Sequence, residues 1–411
     1  MAANSRGGSG DHDSRRSFLK TTAAAGAASA LASSSPARAA QPEAAKAGLP
    51  SVTLGKTGQK VSILGMGTSW DVAPNFVQAA LFAGVRYIDT SETYERGNAE
   101  RTLGRVLERT KMRKDVYLVT KNSDSKIGGP GALAAYEKRL NASLERLRTD
   151  YVDCYYLHGI GGREISLLSD PDVKAAFEKL KKSGKIKFCG LSCHDRQLPE
   201  IVTAAAENGW IDQIMIQYNY RTMGTDAVRR ALDAAAKANL AIVAMKTQGG
   251  AGGFKEGTDA AKFKEFTDKG FDKHAAAIKT VFSDQRVHCV VSEMTNHDML
   301  RENMAASRDH TLTLRDQKCL EEYRLATAHL YCHGCGHHCE PASGGVAVAD
   351  IMRYLRYHEV YGKRQRAREL YQALSPEARN LATADLAAAQ AACPHGLQVV
   401  ELLHRAQAKL G

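Results

Sequence analysis

Between residues 51 and 294, short apolar runs bounded by turn residues alternate with stretches whose apolar positions recur three and four apart, which leaves very few possible folds. The strand-like runs are "SILGMGT" (62–68), "RYIDT" (86–90), "VYLVTK" (116–121), "VDCYYLH" (152–158), "IKFCGLS" (186–192), "QIMIQYN" (213–219), "AIVAMKT" (241–247) and "CVVSEM" (289–294). Helical segments such as "GALAAYEKRLNASLERL" (131–147) and "DAVRRALDAAAKAN" (226–239) separate them. A repeated strand and amphipathic helix demands a parallel sheet covered by helices. Eight such units in about 250 residues match an α/β fold of the closed (β/α)8, or TIM, barrel type. An open doubly wound sheet would usually carry G-x-G-x-x-G after its first strand, and no such motif stands there.

Barrels of this kind hold their chemistry at the C-terminal ends of the strands. Asp89, Lys121, His158, Ser192 and Gln217 fall at or near the ends of strands two to six, so all five point into one mouth. Tyr94 follows in the loop "DTSETYERGNAE" and can fold back over it. A cation beside a phenol favours tyrosinate, so Lys121 is expected to lower the Tyr94 pKa; Asp89 would orient the lysine, and His158 would position or protonate a carbonyl oxygen. Taken singly, a strand-end lysine is usually a solvated cap, an aspartate before a helix an N-cap, and a lone histidine a structural residue. Together on successive strands they are far less easily accidental.

At these residues the chain resembles the aldo/keto reductase family, through "YIDTSETY" with Asp89 and Tyr94, "VYLVTK" with Lys121 and "YYLH" with His158. The opening "VTLGKTGQKVSILGMGT" is similar to the family's N-terminal hairpin and first strand, and the likeness runs over roughly residues 50–310. The resemblance implies that Tyr94 protonates a carbonyl oxygen as hydride arrives from a reduced nicotinamide, with Lys121 and Asp89 tuning it and His158 orienting the substrate. It further implies that Ser192 and Gln217 hold the nicotinamide carboxamide, that Glu302 and Asn303 of "RENM" face the adenine, and that Thr68, Lys246, Thr247 and Gly249 border the cofactor. Five positions, in three places, depart from the pattern. Cys193 follows the strand-five serine where asparagine is common, Met245 replaces a stacking tyrosine, and Thr295, Asn296 and Met299 stand where NADPH-using members carry phosphate-binding residues. A 2′-phosphate normally requires Arg or Lys, so the choice between NADH and NADPH stays open.

The N-terminus carries an address. "SRRSFLK" (14–20), with Arg15 and Arg16, leads into a mildly apolar stretch and then "ARAA", whose Ala37 and Ala39 match a small-residue cleavage site. This resembles a twin-arginine signal, so residues 1–40 are set apart from the fold, and the resemblance implies export of an already folded, cofactor-bearing protein to the periplasm or another extracytoplasmic space. The apolar stretch is too short to be a permanent membrane span. The net charge of +11 is spread along the chain with no basic run interleaved with aromatics, which argues against nucleic-acid binding.

Of nine cysteines, Cys154, Cys189 and Cys289 sit in apolar runs and read as small hydrophobes. "YCHGCGHHCEPASGG" (331–345) is different: Cys332, Cys335 and Cys339 form C-x2-C-x3-C, and Cys393 opens "CPHG" far downstream. Zinc held by Cys and His is one reading, and a loop of unpaired thiols another. In two-cluster ferredoxins each motif gives three cysteines to one cluster, and its last cysteine, before proline, ligates the other. Here the first motif keeps three and the second keeps only its last, which together make one complete set for a single [4Fe-4S] cluster. The parallel phrases "GGVAVADIMRYL" and "HGLQVVELLHRA" support a duplication, so residues 311–411 are expected to form a small α-helical, degenerate ferredoxin-like domain.

The expectation is an exported NAD(P)-dependent oxidoreductase acting on a small-molecule carbonyl or hydroxyl substrate. A cluster moves single electrons while hydride moves two, so its role is either structural or directed to a redox partner protein. The alternative is a catalytically retired barrel serving as an electron-transfer or binding module.

Overall fold

The computed structural model describes residues 48–123, 127–249, 266 and 270–411. The N-terminal signal-like segment lies outside the described residues. An antiparallel hairpin, β1 (Ser51–Thr53) and β2 (Lys60–Ser62), pairs Val52 with Val61. Eight parallel strands then close a barrel: β3 (Leu64–Gly67), β4 (Tyr87–Asp89), β5 (Tyr117–Asn122), β6 (Val152–Leu157), β7 (Ile186–Cys193), β8 (Gln213–Gln217), β9 (Ala241–Met245) and β10 (Cys289–Ser292). Each of the eight apolar runs became a strand, and β10 pairs with β3 through Val291 and Gly65 to shut the ring.

The ring of helices comprises α1 (Pro74–Phe82), α2 (Asn98–Thr110), α3 (Ala132–Leu147), α4 (Pro171–Lys182), α5 (Leu198–Glu207), α6 (Asp226–Lys237), α7 (Lys273–Phe282) and α8 (His297–Arg308). Side-chain caps start four of them: Asp170, Thr225, Asp272 and Asn296 each accept from backbone N–H groups of the first turn. Their apolar faces and the outward residues of the strands make the larger core, which includes Leu103, Leu140, Phe177, Ile201 and Leu232.

A second, interior core fills the barrel with Tyr87, Tyr117, Val119, Cys154, Tyr156, Met215, Val243, Cys289 and Val291. Its polar tips satisfy one another: Gln213 donates to Tyr87 (2.6 Å) and Tyr156 (2.5 Å), and Tyr117 donates to Gln213 (2.7 Å). Gly190 leaves room for Tyr156, since a Cβ there would stand 2.3 Å from its ring. Strand alternation then decides what lies above these residues. Two positions on from Tyr87, Val119, Tyr156, Met215 and Val243 come Asp89, Lys121, His158, Gln217 and Met245, one layer nearer the mouth.

After α9 (Leu314–Ala326), which packs against α7, come α10 (Cys339–Ala342), α11 (Val348–Glu359), α12 (Arg364–Gln372), α13 (Leu386–Ala391) and α14 (Val399–Leu410). They share a separate apolar core running from Cys339 to Leu410. The expected repeat is visible in the backbone. Gly345 and Gly396 are both left-handed, Val348 donates to Val346 (2.8 Å) as Val399 does to Leu397 (2.9 Å), and Met352 and Leu403 are buried at matching places. Both phrases thus make the same turn into a helix. None of the nine cysteines is in a disulfide, and Cys154, Cys189 and Cys289 are buried as small hydrophobes.

The helical region and the barrel belong to one compact unit, and the helices lie over the mouth. Loops after six of the eight barrel strands hold them. Lys363 donates to the Ser69 carbonyl (2.5 Å) and pairs with Glu293 (3.2 Å), Arg96 meets Glu369 (3.8 Å), and Arg196 pairs with Glu340 (3.0 Å). Arg353 donates to His194 Nδ1 (3.2 Å), and Lys246 donates to the Tyr357 phenol (3.3 Å). Buried Arg221 reaches Gly249 O (2.7 Å), Arg324 O (3.1 Å) and the Thr327 hydroxyl. Among the described residues no helix is long and apolar enough to cross a membrane.

Candidate active site

Asp89 ends β4 and Lys121 lies near the end of β5, adjacent strands in the sheet. Lys121 Nζ meets Asp89 Oδ1 at 2.6 Å and donates to Thr90 O at 2.6 Å; its third partner, the Tyr94 hydroxyl, is longer at 3.4 Å. Lysine and aspartate are both almost fully buried, at 1% and 4% exposure. Burial pushes Asp89 up and Lys121 down, while their mutual attraction opposes both shifts. The loop bearing Tyr94 is strained: Glu95 and Arg96 are left-handed, with φ of 46° and 55°. The strain accompanies a ring set edge-on to His158, with centroids 5.7 Å apart. His158 Nδ1 contacts the hydroxyls of Ser91 (3.2 Å) and Ser123.

The expected lowering of the Tyr94 pKa is not the net result. Burial pushes the phenol well above its ordinary value, and Asp89, Glu293 and Tyr357 push it the same way. Lys121 is committed to Asp89 and Thr90, which explains why its effect is lost. A phenol so placed stays protonated, accepts from Lys121 and has its own proton to donate, which suits an acid rather than a base.

The other expected cofactor residues are spread around the rim. Ser192 is buried and accepts from Gly159 N–H (2.9 Å), while the Gln217 side chain has no partner among the described residues and faces a large cavity. Thr68 donates to Asp89 O (3.0 Å), Thr247 is buried, and Gly249 is left-handed (φ 50°) with Tyr220 2.7 Å from where a Cβ would stand. Asn303 is engaged, donating to Ser292 Oγ (2.8 Å), whereas Glu302 is exposed. Thr295 turns its hydroxyl to Met299 Sδ (3.3 Å), and no cation comes from these two positions. Gln217 lies on the cavity wall, one strand over from Ser192.

The cavity, about 1510 Å³, is walled by barrel residues that include Gly159, His194, Gln217 and Lys246 and by α11. Tyr94 itself is not on its wall. Tyr357 is, where it accepts from Lys246. The contributions of Arg353, Tyr357, Lys363 and Glu293 were missed in the sequence. The basic and aromatic run "RYLRY" (353–357) on a predicted helix was the only available signal.

Cys332, Cys335, Cys339 and Cys393 come together around one small pocket, with His333 and His395 stacked beside them at 3.6 Å between centroids. Burial pushes the Cys332 thiol up, and Cys335, Cys339 and Cys393 lie close enough to push it the same way. Among the described residues no group of three or more His, Cys, Asp or Glu is arranged to hold a metal ion, so neither zinc nor an iron–sulfur cluster has a preformed ligand set here. The pocket between them, about 10 Å³, is no larger than a water, so the four cysteines would have to move apart for a cubane to enter.

A closed parallel barrel thus carries a buried Asp–Lys pair, a phenol and an imidazole at its strand ends. The aldo/keto reductase family profile matches residues 64–323, and the chain belongs to that family. It is 26% identical over 284 residues to the uncharacterized oxidoreductase YqkF of Bacillus subtilis, covering 63% of this chain and 90% of that one. It is 40% identical over 116 residues to methylglyoxal reductase YeaE of Escherichia coli, where the match spans only 28% of this chain and 37% of the relative. Among solved structures, the holo form of aldo-keto reductase AKR11C1 from Bacillus halodurans superposes with a TM-score of 0.54 at 23% identity, covering 67% of this chain and 96% of that one. An aldo/keto reductase from Klebsiella pneumoniae in complex with NADP and acetate gives 0.53 at 22%, covering 67% and 95%. These superpositions establish the barrel fold.

Proposed function

We propose that the protein reduces a carbonyl group, or oxidises the corresponding alcohol, with Tyr94 as general acid and a bound NAD(P)H. The observation that carries this reading is the buried chain Asp89–Lys121–Tyr94, at 2.6 and 3.4 Å, with His158 edge-on to the phenol. A reduced nicotinamide at Ser192 and Gln217 would supply the hydride. Tyr94 Oη gives its proton to the carbonyl oxygen, Lys121 donates to the phenolate that is left, and Asp89 fixes the ammonium. His158, oriented by Ser91 and Ser123, donates to the same oxygen and sets the angle of the substrate. The relatives crystallised with NADP support a dinucleotide here, and the neutral Thr295 and Met299 leave NADH equally acceptable.

The same reading assigns Cys332, Cys335, Cys339 and Cys393 to one [4Fe-4S] cluster, supported by the convergence of all four on one place and by the paired turns at Gly345 and Gly396, and it requires the cysteines to open around the cluster. It also places the protein outside the cytoplasm, on the twin-arginine pattern of residues 14–20. The test is a fluorescence titration of cluster-intact protein with NADPH and NADH, together with Tyr94→Phe. Saturable binding, and turnover lost in the variant while binding persists, is the expected result. No binding of either dinucleotide would mean a retired barrel, and full turnover by Tyr94→Phe would remove the phenol from the mechanism.

A further inference from the structure

What lies against Gln217 is roofed. The cavity there has His194, Gln217 and Lys246 of the barrel on one side and Arg353 and Tyr357 of α11 on the other. At about 1510 Å³ it exceeds the roughly 300–1,000 Å³ of ordinary small-molecule sites, which leaves room for a dinucleotide and a substrate together. The roof is an addition to the barrel. The family profile ends at residue 323, and the Bacillus halodurans structure is covered over 96% of its length by 67% of this chain, so α10–α14 have almost no counterpart there.

The roof is fastened at several points of the rim. Lys363 donates to Ser69 O (2.5 Å) and Ser69 Oγ (2.7 Å) and pairs with Glu293 (3.2 Å), which ties down the loops after β3 and β10 where the barrel closes. Arg353 donates to His194 after β7, and Arg196 of the same loop pairs with Glu340. The segment after β9 is held at both ends. Lys246 donates to the Tyr357 phenol, and Gly249 O accepts from buried Arg221, whose other bonds reach Arg324 O and the Thr327 hydroxyl. Between these ends Lys246 O accepts from Asn219 Nδ2 (3.1 Å) and from Gly249 N–H (3.2 Å), which fixes the turn. Most of the fastenings are charge-assisted, and because they share one body, breaking one leaves the others to re-form it. A molecule lying at the end of β9 under α11 leaves only when they part together.

We propose that α10–α14 form a clasp that keeps the dinucleotide bound from one turnover to the next, so that the protein moves hydride between two organic substrates rather than drawing it from a free dinucleotide pool. This rests on the reductase reading. A retained dinucleotide has to be recharged in place, and Tyr94 can serve both directions. Its phenolate takes the hydroxyl proton of an alcohol as a C–H bond of that carbon breaks, and the phenol gives the proton to the oxygen of a second, carbonyl substrate as the new C–H bond forms. Two electrons and two protons pass from one carbon–oxygen pair to the other. One substrate is oxidised to a carbonyl, the other is reduced to an alcohol, and the dinucleotide ends as it began.

The test is the rate of dinucleotide release. Full-length protein loaded with NADPH is mixed with excess NADP+ in a stopped-flow fluorimeter, for wild type, Lys363→Met and Lys363→Arg, and the dinucleotide left on wild type after gel filtration is measured. The clasp predicts dinucleotide retained through the column and a release half-life of about a minute or longer. Lys363→Met loses a charge-assisted contact and should speed release by about tenfold to a hundredfold, while Lys363→Arg keeps most of the retention. Wild-type release within about a second, or a rate that Lys363→Met leaves unchanged, overturns the clasp and leaves the reductase reading standing. No binding of NADPH or NADH ends both readings, a result distinct from binding with fast release. A second measurement reads the shuttle. With no dinucleotide added, deuterium from α,α-dideuterated benzyl alcohol should appear in the 4-chlorobenzyl alcohol formed from 4-chlorobenzaldehyde, and transfer only on addition of NADP+ counts against recharging in place. The release rate decides the clasp whether or not these two compounds are turned over.

Discussion

Lys121→Met is the sharpest probe of the mouth, because methionine keeps the buried stem and removes only the charge. In the folded protein Lys121 is the one cation paired with Asp89 among the described residues, at 2.6 Å, and both groups are almost fully buried. Removing one member of such a pair leaves an uncompensated buried charge, which costs about 3–5 kcal/mol. Asp89 escapes by taking a proton. Burial already raises its pKa against the pull of Lys121, and the substitution removes that pull, so its folded pKa rises further above the unfolded value of about 3.9. Between the two pKa values the folded state binds more protons than the unfolded one, so stability is present below the unfolded pKa and is lost as pH rises through the folded pKa. The deficit relative to wild type should therefore be full at pH 7.5 and shrink towards pH 4. In urea, with m of about 3 kcal/mol/M, the midpoint at pH 7.5 falls by about 1 M or more. Asp89→Asn combined with Lys121→Met should recover most of the loss, since neither charge is then stranded. A deficit below about 1 kcal/mol at pH 7.5, or one independent of pH, would show that Asp89 is not held as a carboxylate by Lys121.

Two further outcomes follow from the helical region. Arg221→Met strands the acceptors at Gly249, Arg324 and Thr327 and should destabilise the protein by about 2–4 kcal/mol, with limited proteolysis opening first between residues 310 and 331; a cleavage pattern like that of wild type counts against this pinning role. Cys393→Ser should sharply reduce iron and acid-labile sulfide in anaerobically purified protein, and unchanged iron with an unchanged spectrum would remove the cluster assignment.

The barrel was legible because each strand is a continuous apolar run ending in a polar residue, as in "VYLVTK". The tetrad was legible for a related reason. Alternation carries Tyr87 to Asp89 and Tyr156 to His158, so strand ends alone predict one shared layer. Competition for a proton donor was not legible: nothing in the residue order says that Lys121 favours Asp89 over Tyr94. Nor was the cover over the mouth. The pattern of α11 shows that Ile351, Met352 and Leu355 are buried, but not that Arg353 and Tyr357 meet His194 and Lys246 more than a hundred residues earlier. Tertiary partners so distant leave no local trace.

Barrels of this type usually acquire new substrates by changing their loops one at a time, because each loop is anchored only by its own strand and helix. Here the loops after six strands are bonded to one helical body, through Ser69, Arg96, His194 with Arg196, Arg221, Lys246 and Glu293. An insertion in any of them would have to be matched across the contact. Variation in this mouth is thereby shifted from single loops to the barrel-facing side of α11, where Arg353 and Tyr357 line the cavity without belonging to any strand or loop of the barrel.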